Sequence, residues 1–185
     1  MQIVGGLLVL TLLSRPVAIK IDYIAYEILR SQTQIMQTLK KGDIVKNLHS
    51  DEEGEADKIE ELIANIDSNT RSIMGLLKEK NKVVGQLETS LDIRAYAKKT
   101  LDEAQIQKLS AFSALYSEKG EALRNSLQKI EEKQNLNLVK KEILHTDSDL
   151  NYIYKELKEL SDYQDEALYS LQSIVLSGAE ILSEL

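Results

Sequence analysis

The residues that decide the fold are the last thirty-six, Leu150 to Leu185, which read LNYIYKELKELSDYQDEALYSLQSIVLSGAEILSEL. Positions spaced alternately by three and four residues are apolar there in nine of eleven cases. They are Leu150, Ile153, Leu157, Leu160, Gln164, Ala167, Leu171, Ile174, Gly178, Ile181 and Leu185. This heptad spacing predicts an amphipathic helix that begins at Thr146 or Asp147 and packs along nearly its whole length. At 1.5 Å per residue the helix would be roughly 54 Å long, so we expect a rod.

A second heptad pattern lies upstream, with eight apolar residues among ten positions. Its positions are Ile59, Ile63, Ile66, Thr70, Ile73, Leu77, Lys80, Val84, Leu87 and Leu91. The apolar register slips after Leu91 and restarts through Leu101, with no strong helix breaker in between. Residues 91–101 therefore form either a turn between two helices or a kink in one long helix. We expect the third helix to end near residues 135–137.

An apolar stripe also predicts a first helix over residues 19–48. Its members are Ile21, Ile24, Ile28, Ile35 and Leu39. The polar residues 49–57 follow, where Ser50 or Asp51 would cap the second helix. Short connections between long amphipathic helices favour antiparallel neighbours. The sequence therefore predicts an all-α, elongated antiparallel four-helix bundle, a coiled-coil-like rod, in a single domain over residues 19–185.

Composition and charge narrow the class of function. The 185 residues include no Cys, no Trp, one Pro and one Phe, and 29% of them are charged. The absence of Cys excludes disulfides, cysteine nucleophiles and thiolate metal sites. Thirty acidic residues against twenty-three basic ones give a net charge of −7. Nucleic acid is not an expected partner, because a phosphate backbone requires clustered Lys and Arg.

The N-terminus has the pattern of a secretory signal peptide. Residues 3–13 are an uncharged apolar run, too short for a membrane-spanning helix of about twenty residues. We expect cleavage after Ala18, with Ser14 as the second choice, so that residues 1–18 are removed and the protein is secreted. Two alternatives stay open: an uncleaved membrane anchor formed by residues 3–19, or an apolar arm packed on the bundle.

The only two histidines lie in similar polar contexts, just before acidic residues. In an up-down bundle their loops lie at the same end, so His49, Asp51, His145 and Asp147 are candidate ligands for a metal such as zinc. The favoured interpretation is that each cluster caps a helix, since no ligand pair has the i, i+4 spacing of helical metal sites. We therefore expect no metal and no other cofactor.

Motifs for catalysis are missing from the chain. Glu142 and His145 form a single Glu-x-x-His pair, whereas di-iron bundles need two such pairs. Neither Gly-x-Ser-x-Gly nor a Gly-rich phosphate loop occurs. Without a recognisable site, the chain is not expected to be an enzyme.

Four of the eight tyrosines lie on the last helix, outside its apolar seam. Tyr154 and Tyr163 flank the seam, and we expect them to widen the core contact. Tyr152 and Tyr169 are candidates for exposed contacts with a partner, because Tyr is enriched at protein interfaces.

Three polar residues occupy seam positions: Thr70, Lys80 and Gln164. In coiled coils, polar seam residues fix the register or the oligomeric state at some cost in stability. The alternative is that a long rod simply tolerates polar layers.

These features favour a secreted, non-enzymatic interaction protein that binds another protein or assembles with itself. One alternative is an exchangeable lipid carrier whose helices open and lay their apolar faces on lipid. In composition and periodicity alone, the chain resembles the insect apolipophorin III class, and this resemblance implies lipid binding. The other alternative is a membrane-tethered coiled-coil component of a larger assembly.

The unequal lengths of the helices predict where association occurs. A first helix of about 30 residues cannot cover neighbours of nearly 40 along their full length. We expect the end of the last helix, with Ile174, Ile181 and Leu185, to be exposed in a monomer. Such an apolar strip would form the contact of a dimer or a hetero-complex.

Overall fold

Four helices make up nearly all of the computed structural model, which describes residues 21–28, 30, 53–134 and 150–185. Helix α1 includes residues 21–28, and α2 is Glu53–Tyr96. Helix α3 is Glu103–Gln134, and α4 is Leu150–Glu184. No strand occurs within these ranges. The structure thus confirms the predicted all-α helical bundle.

Helix α4 is the central element of the described bundle, because it packs extensively against both α2 and α3. Cross-contacts define its direction relative to α2. Asn65 of α2 contacts Ser161 of α4, and Arg94, near the end of α2, contacts Leu185 at the end of the chain. The residue numbers increase together, so α2 and α4 run parallel.

Helix α3 runs in the opposite direction to α4. Lys133, near the end of α3, forms an ion pair with Glu156 near the start of α4. Lys108, near the start of α3, forms an ion pair with Glu184 at the end of α4. The directions of α2, α3 and α4 therefore alternate as predicted. The close parallel packing of α2 on α4 is an additional feature of the tertiary structure.

The described helices contain two clusters of buried core residues. The first cluster contains residues of all four helices: Ile21, Ala25, Ile28, Ile59, Ile66, Ile73, Leu77, Leu123, Leu127, Ile130, Ile153, Leu157, Leu160, Ala167 and Leu171. The second cluster contains residues of α2, α3 and α4: Leu87, Leu91, Leu109, Phe112, Ile174 and Ile181. Almost every described seam position of α2 and α4 is buried, with Ile63, Val84 and Leu185 half-buried.

Residues 91–101 contain a turn and not a kink. Helix α2 ends at Tyr96, and Lys98 adopts a positive φ of 53°. The Lys99 amide donates to the Arg94 carbonyl at 3.0 Å, and the Lys98 amide donates to the Ala95 carbonyl at 3.1 Å. This pair of hydrogen bonds is a Schellman motif, which usually has Gly at the position that Lys98 occupies. The missing Gly explains why the sequence left turn and kink undecided.

A capping box starts α3 on the other side of this turn. The Gln105 amide donates to the Asp102 carboxylate at 2.8 Å, and the Asp102 amide donates to the Gln105 side chain at 3.1 Å. The two bonds satisfy amide groups that lack partners at a helix start. The turn is therefore specified locally from both sides.

The expected exposed strip at the end of α4 is wrong. Ile174 and Ile181 are 1% and 7% exposed and belong to the second cluster, and Leu185 is half-buried against it. The reason is Gly178, which lies on the same stripe. A Cβ atom at Gly178 would lie 2.6 Å from Val83 Cγ1 and 3.4 Å from the Phe112 ring. Because Gly178 has no side chain, α2 and α3 pack closely on α4 and cover the strip.

Among the described helices, none combines the length and the apolar character that a bilayer crossing requires. Residues 1–18, on which the predicted signal peptide rests, lie outside the described residues. The predicted helix caps at positions 50–51 and 146–147 also lie outside them.

Candidate interaction surface

The candidate metal ligands His49, Asp51, His145 and Asp147 lie outside the described residues, so the structure does not bring them together or separate them. Within residues 21–28, 53–134 and 150–185, no group of three or more potential ligands is arranged to hold a metal ion.

Two of the polar seam residues meet in the core between α2 and α4. The Gln164 amide donates to Thr70 Oγ1 at 2.9 Å, and Thr70 Oγ1 donates to the Ile66 carbonyl at 2.7 Å. Both side chains are almost completely buried. Because buried polar groups must be paired, sliding α4 along α2 would break this contact. The pair therefore specifies the register of the two helices.

Two further side-chain hydrogen bonds flank this buried pair. Asn65 Nδ2 donates to Ser161 Oγ at 2.8 Å, and Asn69 Nδ2 donates to Asp165 Oδ1 at 3.0 Å. In each case the partners are ninety-six residues apart. The repeated offset shows that one register satisfies both bonds. The α2–α4 pair is thus held in a single register, and any surface formed by these two helices is held with it.

The third polar seam residue, Lys80, is buried and reaches α1. Its Nζ lies 3.3 Å from Asp22 Oδ1, and Asn81 Nδ2 donates to Asp22 Oδ2 at 2.6 Å. Burial lowers the pKa of Lys80, and the nearby Asp22 opposes this shift. On the α3 side, burial raises the pKa of Tyr116 to about 12, and the Asp22 and Glu88 carboxylates act in the same direction. Asp22 therefore links α1 to α2, and its charge also acts on Tyr116 of α3.

The exposed side of α4 differs in charge along the helix. From Ala167 to Ala179 the chain contains no charged residue, although 29% of all residues are charged. Within this stretch Tyr169 is 62% exposed and Leu176 is 70% exposed. Gln172 and Ala179 are also exposed. The spacing of three, four and three residues places these four side chains on one stripe of the helix.

A shallow groove lies between α2 and α4 near the end of α4. Its lining is formed by Leu182 of α4 and by Asn81, Lys82, Gly85, Gln86, Thr89 and Ser90 of α2. Only Lys82 in this lining is charged. Leu182 is half-buried and lies three residues after Ala179, so the groove begins beyond the end of the stripe. We call the stripe Tyr169, Gln172, Leu176 and Ala179 the uncharged face.

The four tyrosines of α4 lie in different surroundings. Tyr169 and Tyr152 are exposed, as expected for candidate partner contacts. Lys119 of α3 lies 5.2 Å from the centre of the Tyr169 ring, a cation–π contact that holds the ring at the edge of the uncharged face. Tyr163 packs against the first cluster, as predicted. Tyr154 is 37% exposed, more than a core residue, and its predicted role in widening the core stays a prediction.

Sequence reasoning named Tyr169 but missed Leu176. Leu176 lies off the seam, and a single apolar residue there is unremarkable. The absence of charged residues from 167 to 179 is visible in the sequence and could have indicated a contact surface there. The groove had no such signal, because it depends on α2 lying beside α4.

Comparison of the chain with models of protein families, with curated proteins and with solved structures gives no significant match.

Proposed function

We propose that this protein is a non-enzymatic, helical-bundle interaction protein that binds another protein through the uncharged face. The observation that carries the proposal is the exposure of Leu176 and Tyr169 within thirteen residues that have no charge. Interface centres are depleted in charged residues and enriched in Tyr. Exposed apolar groups that cluster on one face are typical of contact surfaces.

The packing of α4 against its neighbouring helices, beneath this face, favours the proposal. Helix α4 packs on two neighbours, and hydrogen bonds with α2 define its register. A surface on such a helix is already in its binding conformation, so little conformational entropy is lost on association.

Export is part of the proposal. Removal of residues 1–18 would release the bundle as a secreted protein, whereas retention of residues 3–19 would anchor it to a membrane. The intact mass of the protein recovered from its natural source distinguishes the two forms.

The lipid-carrier alternative is less well supported. To place its seams on lipid, the bundle would expose Lys80 and the Thr70–Gln164 pair to the acyl chains. Moving charged and hydrogen-bonded groups into hydrocarbon is unfavourable. These buried groups therefore favour a bundle that stays closed.

The test is site-specific photo-crosslinking in cells that naturally make the protein. A photoreactive amino acid replaces Leu176 in one variant, and in the control it replaces Tyr26, which is 59% exposed on α1. We expect a discrete adduct from position 176 and none from position 26. Equal labelling at both positions, or no adduct at position 176, would contradict the proposed function.

A further inference from the structure

We propose that the turn between α2 and α3 is a processing site, where a protease selective for paired basic residues hydrolyses the peptide bond between Lys99 and Thr100. The reaction consumes one water molecule and leaves a carboxylate on Lys99 and an amine on Thr100. The proposal goes beyond the binding function of the uncharged face. From the proposed function it takes only export, which brings the chain into contact with such proteases.

The first observation is a pair of adjacent basic residues in this turn. Lys98 and Lys99 form the pair, and it is the only one in the residues that the structure describes. Two further pairs, at positions 40–41 and 140–141, lie outside those residues. Both side chains of the turn are exposed, and neither forms an ion pair with the described part of the chain. Two adjacent ammonium groups complement the acidic subsites of such a protease.

The second observation is the length of exposed chain around the pair. Leu91 is the last buried residue of α2, and Leu101 packs on the second cluster. Of the nine residues between them, eight are exposed and Arg94 is half-buried. Proteases bind the residues around the scissile bond in an extended form, and exposed turns are their preferred sites. A protease therefore reaches this segment without taking an apolar side chain out of the core.

The segment also opens at little cost, because the end of a helix unfolds locally with a small free energy. Extending it breaks the Schellman motif and two long contacts of Arg94, 3.3 Å to the Leu185 carbonyl and 3.4 Å to Gln105 Oε1. In return Lys98 leaves its positive φ of 53°, which is unfavourable in a residue other than Gly. The capping box of α3 begins at Asp102, beyond the segment, and stays formed.

Cleavage would not by itself separate the two parts of the chain. One fragment would contain α1 and α2 and the other α3 and α4, and both core clusters contain residues of both fragments. Hydrogen bonds between α2 and α4 also join them. The product is thus a nicked bundle of two chains without a disulfide, since the sequence has no Cys. Its stability would depend on protein concentration, as for any complex of two chains.

Limited digestion with trypsin measures how accessible the turn is, because trypsin cleaves after any Lys or Arg. The purified chain is digested at a low enzyme ratio, and mass spectrometry follows the initial rate of each cut. The controls are Lys82 and Lys158, whose side chains are 61% and 50% exposed within helices. We expect cleavage after Lys98 or Lys99 to be at least tenfold faster than after either control. Equal rates would overturn the proposal.

Variants of Lys98 test whether the pair itself is recognised. The probe is a purified secretory endoprotease that requires two adjacent basic residues. Lys98→Arg keeps the pair and should be cut after Lys99 like wild type, whereas Lys98→Gln should be cut at least tenfold more slowly. Trypsin should still cleave Lys98→Gln after Lys99, which would show that the turn is as accessible as in wild type. Resistance of wild type to the paired-basic protease, or equal cleavage of Lys98→Gln, would contradict the proposal.

The protein recovered from its natural source gives the final readout. After separation under denaturing conditions, N-terminal sequencing should identify a chain that begins at Thr100. Under native conditions the two fragments should elute together, and their Tm should fall on dilution. If the bond between Lys99 and Thr100 is intact in the natural protein, the proposal is wrong. The proposed function would be unaffected by that result, since photo-crosslinking at position 176 tests it separately.

Discussion

Replacement of Gly178 by Ala tests the close packing that covers the end of α4. In a helix interior Ala is favoured over Gly by about 1 kcal/mol, so the substitution would stabilise an unobstructed helix. At Gly178 the new methyl group would lie 2.6 Å from Val83 Cγ1 and 3.4 Å from the Phe112 ring. The first distance is about 1 Å shorter than a favourable carbon–carbon contact.

The close contact between the new methyl group and Val83 is not easily relieved. Val83 is β-branched and has one strongly preferred side-chain conformation in a helix. Both Val83 and Phe112 are buried, so neither has free space to move into. Inserting a methylene into a packed core costs typically 1–3 kcal/mol. After the gain in helix propensity is subtracted, we expect Gly178→Ala to destabilise the protein by about 1 kcal/mol.

The matched control is Gly75→Ala, since Gly75 is exposed in α2 and an added Cβ would meet nothing within 4 Å. The control should gain about 1 kcal/mol, so the two variants should differ by about 2 kcal/mol. Chemical denaturation followed by circular dichroism at 222 nm measures both. For a chain of this size, a loss of 1 kcal/mol lowers Tm by about 2–4 °C.

A third variant identifies the cause of the loss. If the contact with Val83 is responsible, Gly178→Ala should be less harmful in a Val83→Ala background than alone. The reasoning is refuted if Gly178→Ala stabilises the protein as much as Gly75→Ala does. The end of α4 would then be covered less tightly than the 2.6 Å approach to Val83 implies.

Three further predictions concern single side chains. Lys98→Gly should raise the free energy of unfolding by roughly 1 kcal/mol, because Lys98 holds a positive φ that suits Gly; an unchanged or lower denaturation midpoint would contradict the left-handed turn. Lys80→Met should be neutral or stabilising at pH 7, since it removes a buried charge whose pKa burial lowers, whereas Asp22→Asn should destabilise by leaving that charge without its partner. The cost of burying the charged lysine is present below the lowered pKa and is lost as the pH rises through it, so the advantage of Lys80→Met should shrink between pH 7 and about pH 10. Thermal melts across this range would show a constant or growing advantage if the argument is wrong. Leu157→Asp should cost at least about 4 kcal/mol and unfold much of the bundle, because Leu157 is buried in the first cluster. A melting curve like that of wild type would mean that α4 packs through another face.

The seams could be predicted from the sequence because helical periodicity is a local property. Even the polar seam residues Thr70, Lys80 and Gln164 are buried where the heptads place them. Their partners could not be predicted in the same way. Gln164 bonds to Thr70, but Lys80 reaches back to Asp22 on α1. Which polar group meets which depends on the arrangement of the helices.

In the candidate interaction surface, too, some features could be predicted from the sequence and others depend on the arrangement of the helices. Exposure of Tyr169 follows from its position outside the seam, and the uncharged stretch of α4 is visible in the sequence. The groove between α2 and α4 exists because these helices pack in parallel at one register. Short turns constrain only successive helices, so no local pattern specifies that pair.

The sequence by itself determined that this protein is helical, which stripes are buried, and that the last helix packs along nearly its whole length. These properties follow from the spacing of apolar residues along one chain segment. Only the tertiary structure decided that Ile174 and Ile181 are covered, that Leu176 is exposed, and that α2 and α4 form a groove. The physical reason is that burial at a helix end depends on how closely its neighbours approach. Here that distance is set by the missing side chain of Gly178 against Val83 and Phe112, residues that lie far from it in the sequence.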